Sequence, residues 1–305
     1  MGTGLIFPGQ GSQQVGMGSG LENAFPVARQ VFEEANDALG FNLRKLCLQG
    51  PEEELTLTYN AQAAILTVAA MAHRVLAGRI ELKPVSLAGH SVGEYMAVVA
   101  AGALPFAVAV RTVYKRGQFM QEATPLGVGA MAAILGMGAE EVARTCQEEA
   151  RGQVVQPANY NTPGQIVISG HAEAVKRVLA RCKGKLLTVS APFHSALMVP
   201  AAKRLAQVLR ELPFQDALTP VVANHDNGIV TRAADFPVAL EKQVVSPVRW
   251  DSGIVAMRGQ GVTRFIELGH GKLLSGMMRR IDKSVPITHV EDEASLRSTL
   301  DALEG

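Results

Sequence analysis

The chain has little net charge, few cysteines and no long unbroken apolar run, and each shortage excludes a class of protein. Lysines and arginines number 29 against 28 acidic residues, for a formal net charge of +1. Nucleic-acid binders usually carry a strong basic excess, so no nucleic-acid partner is expected. The three cysteines, Cys47, Cys146 and Cys182, are odd in number, far apart in the chain and form no CxxC pair. They read as structural thiols in a reducing compartment, not as a disulfide frame. The most apolar stretch, Met96 to Val110, contains Gly102 and Pro105 and is shorter than a bilayer span. A buried helix followed by a turn is expected there, and no membrane partner. The first residues show no basic region followed by an apolar stretch and a cleavage site, so no secretory signal is read and a cytoplasmic setting is expected. There is no HExxH and no Cys/His ligand cluster, so no metal is expected. Neither Gly9-Gln10-Gly11 nor Gly269-His270-Gly271-Lys272 has the spacing of a phosphate loop.

What is present is a globular composition, 48% hydrophobic and 19% charged over 305 residues, long enough for a large core and two domains. Gly4 to Phe7 is a short apolar strand ending in the turn Pro8-Gly9-Gln10-Gly11-Ser12. Pro26 to Leu39 has helical spacing, with proline near its first turn and Gly40 past its end. Gln62 to Leu76 reads as a second helix, and Pro84 to Ala88 as a buried strand. Strands alternating with helices predict an α/β fold with a largely parallel sheet covered on both faces.

The middle of the chain has a different rhythm. Strands are expected at Met131–Leu135, Val154–Tyr160, Gln165–Ser169 and Lys185–Val189. Helices are expected at Ala139–Ala150 and at Ala172–Cys182, the latter capped by Gly184. The order β-α-β-β-α-β is the ferredoxin-like unit. The expected organisation is therefore a small ferredoxin-like domain over residues 126–190, inserted into a larger α/β-hydrolase-like domain formed by residues 1–125 and 191–305. The remainder reads as a helix at Ala201–Leu212, a strand at Pro220–Ala223, a turn at Asp226-Asn227-Gly228 and a helix before Val245-Ser246-Pro247. A strand at Arg264–Leu268, a helix at Lys272–Ile281, a strand at Val285–Val290 and a final helix close the chain.

Gly89-His90-Ser91-Val92-Gly93 fits G-x-S-x-G, and it follows an apolar strand and opens a helix. That context lifts a serine above the sheet on a sharp turn, with a helix N-terminus beneath it, and makes Ser91 the candidate nucleophile. A serine hydroxyl needs a base. Among seven histidines, His90 lies beside Ser91 on a turn that points neighbours apart, and His73 sits in an apolar helix. His194 falls where the small domain returns to the large one, and clefts form at such junctions. No aspartate lies between Ser91 and His194, so the histidine is expected to be oriented by a neutral amide or backbone carbonyl. Acyl transfer also needs two donors at the developing oxyanion. The N–H of Val92 supplies one, and the glycine-rich loop Gly9 to Gln13 is the source of the second. Arg116, followed by Gly117, reads from the residues alone as a cation at a helix C-terminus.

Eight blocks then resemble one family in order along nearly the whole chain. They are FPGQGSQ at 7–13, GHSVGEY at 89–95, RGQFMQEA at 116–123, GAMAAI at 129–134, NYNTPGQIVISG at 159–170, FHSALM at 193–198, QVVSPVRW at 243–250 and ELGHGKLLSG at 267–276. The chain resembles the malonyl-CoA:acyl carrier protein transacylases, relatives of the acyltransferase domains of fatty acid and polyketide synthases. His270 departs from the family pattern, where proline is more usual. The resemblance implies Ser91 as the acylated nucleophile and His194 as its base, with Gln243 marking the segment that orients the histidine. It implies oxyanion N–H groups at Gln10 and Val92, and Arg116 as the partner of the malonyl carboxylate. Asn159 would line the entrance, and Phe193 would restrict the acyl group. It implies malonyl-CoA and acyl carrier protein as partners, ping-pong transfer in fatty acid biosynthesis, and no cofactor beyond the CoA and phosphopantetheine that the substrates carry. Lys183, Lys185, Lys272, Arg279, Arg280 and Lys283 are the cations that would meet an acidic carrier. A serine thioesterase or esterase, or an acyltransferase of a polyketide pathway, are the alternatives.

Overall fold

A computed structural model describes residues 2–304. Its strands are β1 (Thr3–Phe7), β2 (Ser86–Gly89), β3 (Gly129–Leu135), β4 (Val155–Thr162), β5 (Gln165–His171), β6 (Gly184–Leu186), β7 (Val221–Val222), β8 (Ile229–Val230), β9 (Arg264–Leu268) and β10 (Ile287–Val290). They form two sheets, one of six strands in the order β10-β9-β1-β2-β7-β8 and one of four in the order β4-β5-β3-β6. In the large sheet every pair is parallel except β7 with β8. Leu5, Ile6 and Phe7 of the central strand β1 are fully buried, as a parallel strand covered on both faces requires.

Two helices set the depth of the core beside this sheet. Thr58–Ala77 buries nearly its whole circumference, and Phe106–Glu122 packs along it. The approach depends on Gly117, where a Cβ would stand 2.4 Å from Tyr59 Cα. Gly117 therefore ends no helix, and the expectation that Arg116 caps a helix C-terminus is corrected. Arg116 lies in the interior of a helix that continues to Glu122. The apolar stretch around Met96 divides into the helix Gly93–Ala100, a turn with Gly102 at φ 73°, and the start of Phe106–Glu122.

The small sheet follows the two-residue period of a pleated strand. Ala132 and Ile134 of β3, with Ile166 and Ile168 of β5, pack against Val142, Cys146, Val175 and Val178 of the helices Ala139–Ala150 and Ala172–Arg181. The alternate residues Met131, Ala133 and Val167 face a cleft against the large sheet. The helix Ala172–Arg181 ends at Cys182, which is extended, and Gly184 is the first residue of β6 and no cap. A Cβ at Gly184 would meet Ala133 O at 2.4 Å, so strand pairing requires the glycine there. β6 stops at Leu186, short of the expected Val189. A helix at Trp250–Gly259, not expected from the residues, buries Trp250, Ile254 and Met257 at helical spacing. Among the described residues, no helix is long and apolar enough to cross a membrane.

Candidate active site

The carboxyl ends of β1 and β2 meet at one edge of the large sheet, where open α/β sheets place their ligands. The Ser86–Gly89 strand runs directly into Ser91, and the helix Gly93–Ala100 begins two residues later. The turn leaves no room for side chains beside the serine. A Cβ at Gly89 would lie 1.9 Å from Gly93 C, and one at Gly93 would lie 2.2 Å from Phe7 O. Gly9, in the loop after β1, sits against the same turn, with its missing Cβ 2.3 Å from His90 O. Ser91 itself adopts φ 53°, a left-handed conformation uncommon for a residue with a side chain.

His194 reaches this serine from the segment following the small sheet. Its Nε2 lies 2.7 Å from Ser91 Oγ, and its Nδ1 lies 2.9 Å from the backbone oxygen of Gln243. A carbonyl oxygen only accepts, so Nδ1 carries the proton and Nε2 is left to accept from the serine hydroxyl. Burial and the cation of Arg116 push the imidazole pKa down to about 3, opposed by the bond to Gln243. The ring is therefore neutral over the ordinary pH range and competent as a base. His194, like Ser91, has a left-handed backbone, with φ 57°. His90 takes no part in this pair. Its Nε2 is 2.9 Å from Asn161 Oδ1, and its ring packs against Trp250.

Arg116 is 1% exposed and stands on the other side of the serine. It donates to Gln62 Oε1 at 2.7 Å, to Gln243 Oε1 at 2.8 Å and to Ser91 Oγ at 3.2 Å. None of these partners carries charge, and among the described residues Arg116 Nε has no hydrogen-bond partner. Burial lowers its pKa, while Tyr95 and Glu94 oppose that. A guanidinium whose hydrogen-bond partners are all neutral, facing a cleft, has the chemistry to receive an anion.

The cleft encloses ≈ 400 Å³. Its lining brings together Gln10, Ser91, Arg116, Asn159, Phe193 and His194, with Met131, Ala133 and Val167 of the small sheet opposite. Asn159 is also bridged to Val248, which ties β4 of the small sheet to the segment before the Trp250–Gly259 helix. Among the described residues, the N–H groups of Gln10 and Val92 donate to no other protein group. Val92 is the residue preceding the first turn of the Gly93–Ala100 helix, so its amide adds to the positive end of that helix. Lys185 and Leu273 lie at the cleft and Leu187 with them, so one of the six cations named from sequence reaches the site.

Three residues that sequence reasoning did not single out complete the polar network. Gln62 is a buried amide in a mostly apolar helix, and that mismatch was its only sequence signal. Glu94 is 2% exposed, and burial raises its carboxyl pKa to about 7 against the lowering effect of Gln243 and Asn224. Asn224 follows β7, far from every motif in the chain. No cluster of His, Cys, Asp or Glu able to hold a metal occurs among the described residues.

The family model described as "Acyl transferase domain" matches residues 5–296. Over 303 residues the chain is 43% identical to the malonyl CoA-acyl carrier protein transacylase of Escherichia coli K12, covering 97% of this chain and 98% of that protein. It is 46% identical over 309 residues to the enzyme of the same name from Bacillus subtilis strain 168, covering 98% and 96%. A solved malonyl CoA-acyl carrier protein transacylase from Coxiella burnetii superposes with a TM-score of 0.98 at 41% identity, covering 100% of this chain and 98% of that one. A malonyl-transacylase solved in complex with a type II polyketide acyl-carrier protein superposes with a TM-score of 0.96 at 44% identity, covering 99% and 100%. With Ser91, His194 and Arg116 gathered in one cleft and the match running almost end to end, the chain belongs to the malonyl CoA-acyl carrier protein transacylase family of acyl transferase domains.

Proposed function

We propose that the protein transfers malonyl from malonyl-CoA to the phosphopantetheine thiol of acyl carrier protein, through a malonyl ester on Ser91, in fatty acid biosynthesis. The observation that carries this is the contact of one serine hydroxyl with both a neutral imidazole and a buried guanidinium. The first activates a nucleophile, and the second awaits a carboxylate beside the bond to be broken.

Ser91 Oγ attacks the thioester carbonyl as His194 Nε2 takes its proton. The N–H groups of Val92 and Gln10 receive the oxyanion, each such donor being worth about 2.7–4 kcal/mol in the transition state. The C–S bond breaks, and the imidazolium returns the proton to the departing CoA sulfur. The carrier thiol then gives its proton to His194 and attacks the ester, and Ser91 recovers a proton as the tetrahedral intermediate collapses. Arg116 holds the free malonyl carboxylate in two parallel hydrogen bonds throughout, a geometry lysine lacks. The remaining roles are a narrow wall at Phe193 and a polar rim at Asn159. The small sheet of residues 126–190 acts as a separate domain roofing the cleft.

Transfer is favoured over hydrolysis by the acceptor itself. A carrier thiol, with an ordinary pKa of ~8.5, yields its proton to His194 far more readily than water at ~15.7. The enzyme works in the cytoplasm and needs no cofactor of its own. The test is to incubate the protein with radiolabelled malonyl-CoA, with and without holo acyl carrier protein. A label on Ser91 that persists without the carrier and moves to it on addition supports the transferase. A label lost equally fast without any thiol would favour a thioesterase, and transfer by Ser91→Ala would remove the nucleophile.

A further inference from the structure

Ser91 is held through its backbone as well as its side chain. Its N–H donates to Asn224 Oδ1 at 2.7 Å, and its carbonyl oxygen accepts from Gln243 Nε2 at 2.8 Å. Asn224 Nδ2 also donates to Gly89 O at 2.7 Å, so one amide spans the turn from the strand side to the nucleophile. Both clamping residues converge on a single atom. Glu94 Oε2 accepts from Gln243 Nε2 at 2.7 Å and from the Asn224 backbone N–H at 3.1 Å. We propose that Glu94 and Asn224 are positioning residues, which hold Ser91 in its left-handed conformation and fix the Gln243 amide with its oxygen toward Arg116. The catalytic sense of this role rests on Ser91 being the nucleophile.

The amide of Gln243 has only one workable orientation. Its two N–H bonds go to the Ser91 carbonyl and the Glu94 carboxylate, and its oxygen goes to Arg116. Reversed, the oxygen would face two acceptors and the NH2 would face a guanidinium, leaving three buried contacts repulsive. Glu94 thus acts on the substrate-binding arginine through one side chain. Through the same residue it acts on the histidine, whose Nδ1 bonds the Gln243 backbone. The left-handed Ser91 would otherwise relax toward ordinary backbone geometry at a cost in alignment, and an error of about 1 Å at a reacting centre is worth roughly 10²-fold in rate.

The experiment compares Glu94→Ala, Glu94→Gln and Asn224→Ala with wild type. It measures the saturating rate of malonyl-enzyme formation in single turnover, the KM for malonyl-CoA, and the ratio of malonyl to acetyl transfer. Melting temperatures establish folding, and Ser91→Ala serves as the unlabelled control. Asn224→Ala is expected to slow saturating acylation by roughly 10²-fold with little change in KM, because the nucleophile and not the binding surface is displaced. Glu94→Ala is expected to slow acylation to a similar degree and to cut malonyl-over-acetyl preference about tenfold, because Arg116 loses its oriented amide. Glu94→Gln, whose amide oxygen still accepts both bonds, should regain most of the rate. Folded Glu94→Ala and Asn224→Ala enzymes that acylate within about threefold of wild type would overturn the proposal. So would a Glu94→Gln enzyme as slow as Glu94→Ala. If Glu94→Ala does not fold, Asn224→Ala decides the matter, since it leaves the carboxylate and its bond to Gln243 in place. A wild-type protein that takes up no label would instead refute the nucleophile assignment, and the positioning role with it.

Discussion

His194 Nδ1 donates its proton to the backbone oxygen of Gln243 at 2.9 Å, so the imidazole that faces Ser91 is oriented by a peptide group and not by an acid. A peptide oxygen survives any substitution of the side chain. Loss of the Gln243 side chain would thus leave the bond to His194 in place, whereas His194→Ala removes the imidazole itself. The loss expected for His194→Ala is about 10²–10⁴-fold in acylation rate, read as the burst of malonyl-enzyme under saturating malonyl-CoA. A burst of undiminished rate would exclude His194 as the base.

The hydrogen-bond partners of Arg116 are all uncharged, which makes its preference for a carboxylate testable. Hydrogen bonds to charged groups contribute about 1.5–3 kcal/mol each, or roughly 10- to 150-fold. Arg116→Ala should depress malonyl transfer by that order while leaving acetyl transfer much less affected. Arg116→Lys should fall between, since it keeps the charge but not the fork. Equal losses for both acyl groups, measured as kcat/KM, would remove Arg116 from substrate recognition.

Phe193 is buried and faces the same cleft. Removing its ring should raise methylmalonyl transfer relative to malonyl by about 1–3 kcal/mol in discrimination, the usual worth of one methyl in an apolar pocket. Side-by-side kcat/KM values for the two thioesters in Phe193→Ala check this. An unchanged ratio would assign acyl size selection to another wall.

Two buried titrating groups give stability opposite slopes with pH. His194 falls from its ordinary 6.5 to about 3 on folding, so the unfolded chain binds more protons between those values. Its contribution is intact above about pH 6.5 and is lost as pH falls toward 3. Glu94 rises from 4.5 to about 7, so its contribution is intact below about 4.5 and is lost as pH rises toward 7. Between 4.5 and 6.5 the two oppose each other. Removing the histidine, as in His194→Gln, should make stability fall more steeply with rising pH in that window. Glu94→Gln should make it rise more steeply. Denaturant midpoints measured across the window give the slopes, and identical slopes in all three proteins would contradict both assignments.

Gly117 offers a prediction about the frame beneath the site. A Cβ there would meet Tyr59 Cα at 2.4 Å and Tyr59 N at 2.7 Å, backbone atoms that cannot swing away. Gly117→Ala should destabilise by about 1–3 kcal/mol through overpacking. It should also lower malonyl transfer, because the neighbouring Arg116 moves with the helix. A melting temperature equal to wild type would show that the two helices separate without cost.

The sequence revealed those parts of the fold and site whose physics is local. The buried strand β9 and the Pro26–Leu39 helix, with Gly40 at φ 76° past its end, are set by burial and backbone freedom within a few residues. The serine turn was legible for the same reason, because it needs glycine on both sides. The Trp250–Gly259 helix was not, since it holds Gly253 and ends in Gly259, and only its contacts with the sheet compensate for poor intrinsic propensity. Arg116 was misplaced on a helix end because glycine usually marks one, whereas here it marks a close helix crossing. Asn224 carries no local signal, and Glu94, though it lies within GHSVGEY, shows nothing there of what it bonds. Their meaning comes from residues 130 or more positions apart being brought to one atom.

The pleat of the small sheet separates two jobs along a single strand. In β3, Ala132 and Ile134 bind the helices behind, while Met131 and Ala133 line the cleft. Val167 stands in the same relation to Ile166 and Ile168 on the neighbouring strand. A change at one set is insulated from the other by the thickness of the sheet. The chamber's shape is thus free to vary, residue by residue, without loosening what keeps its ceiling in place.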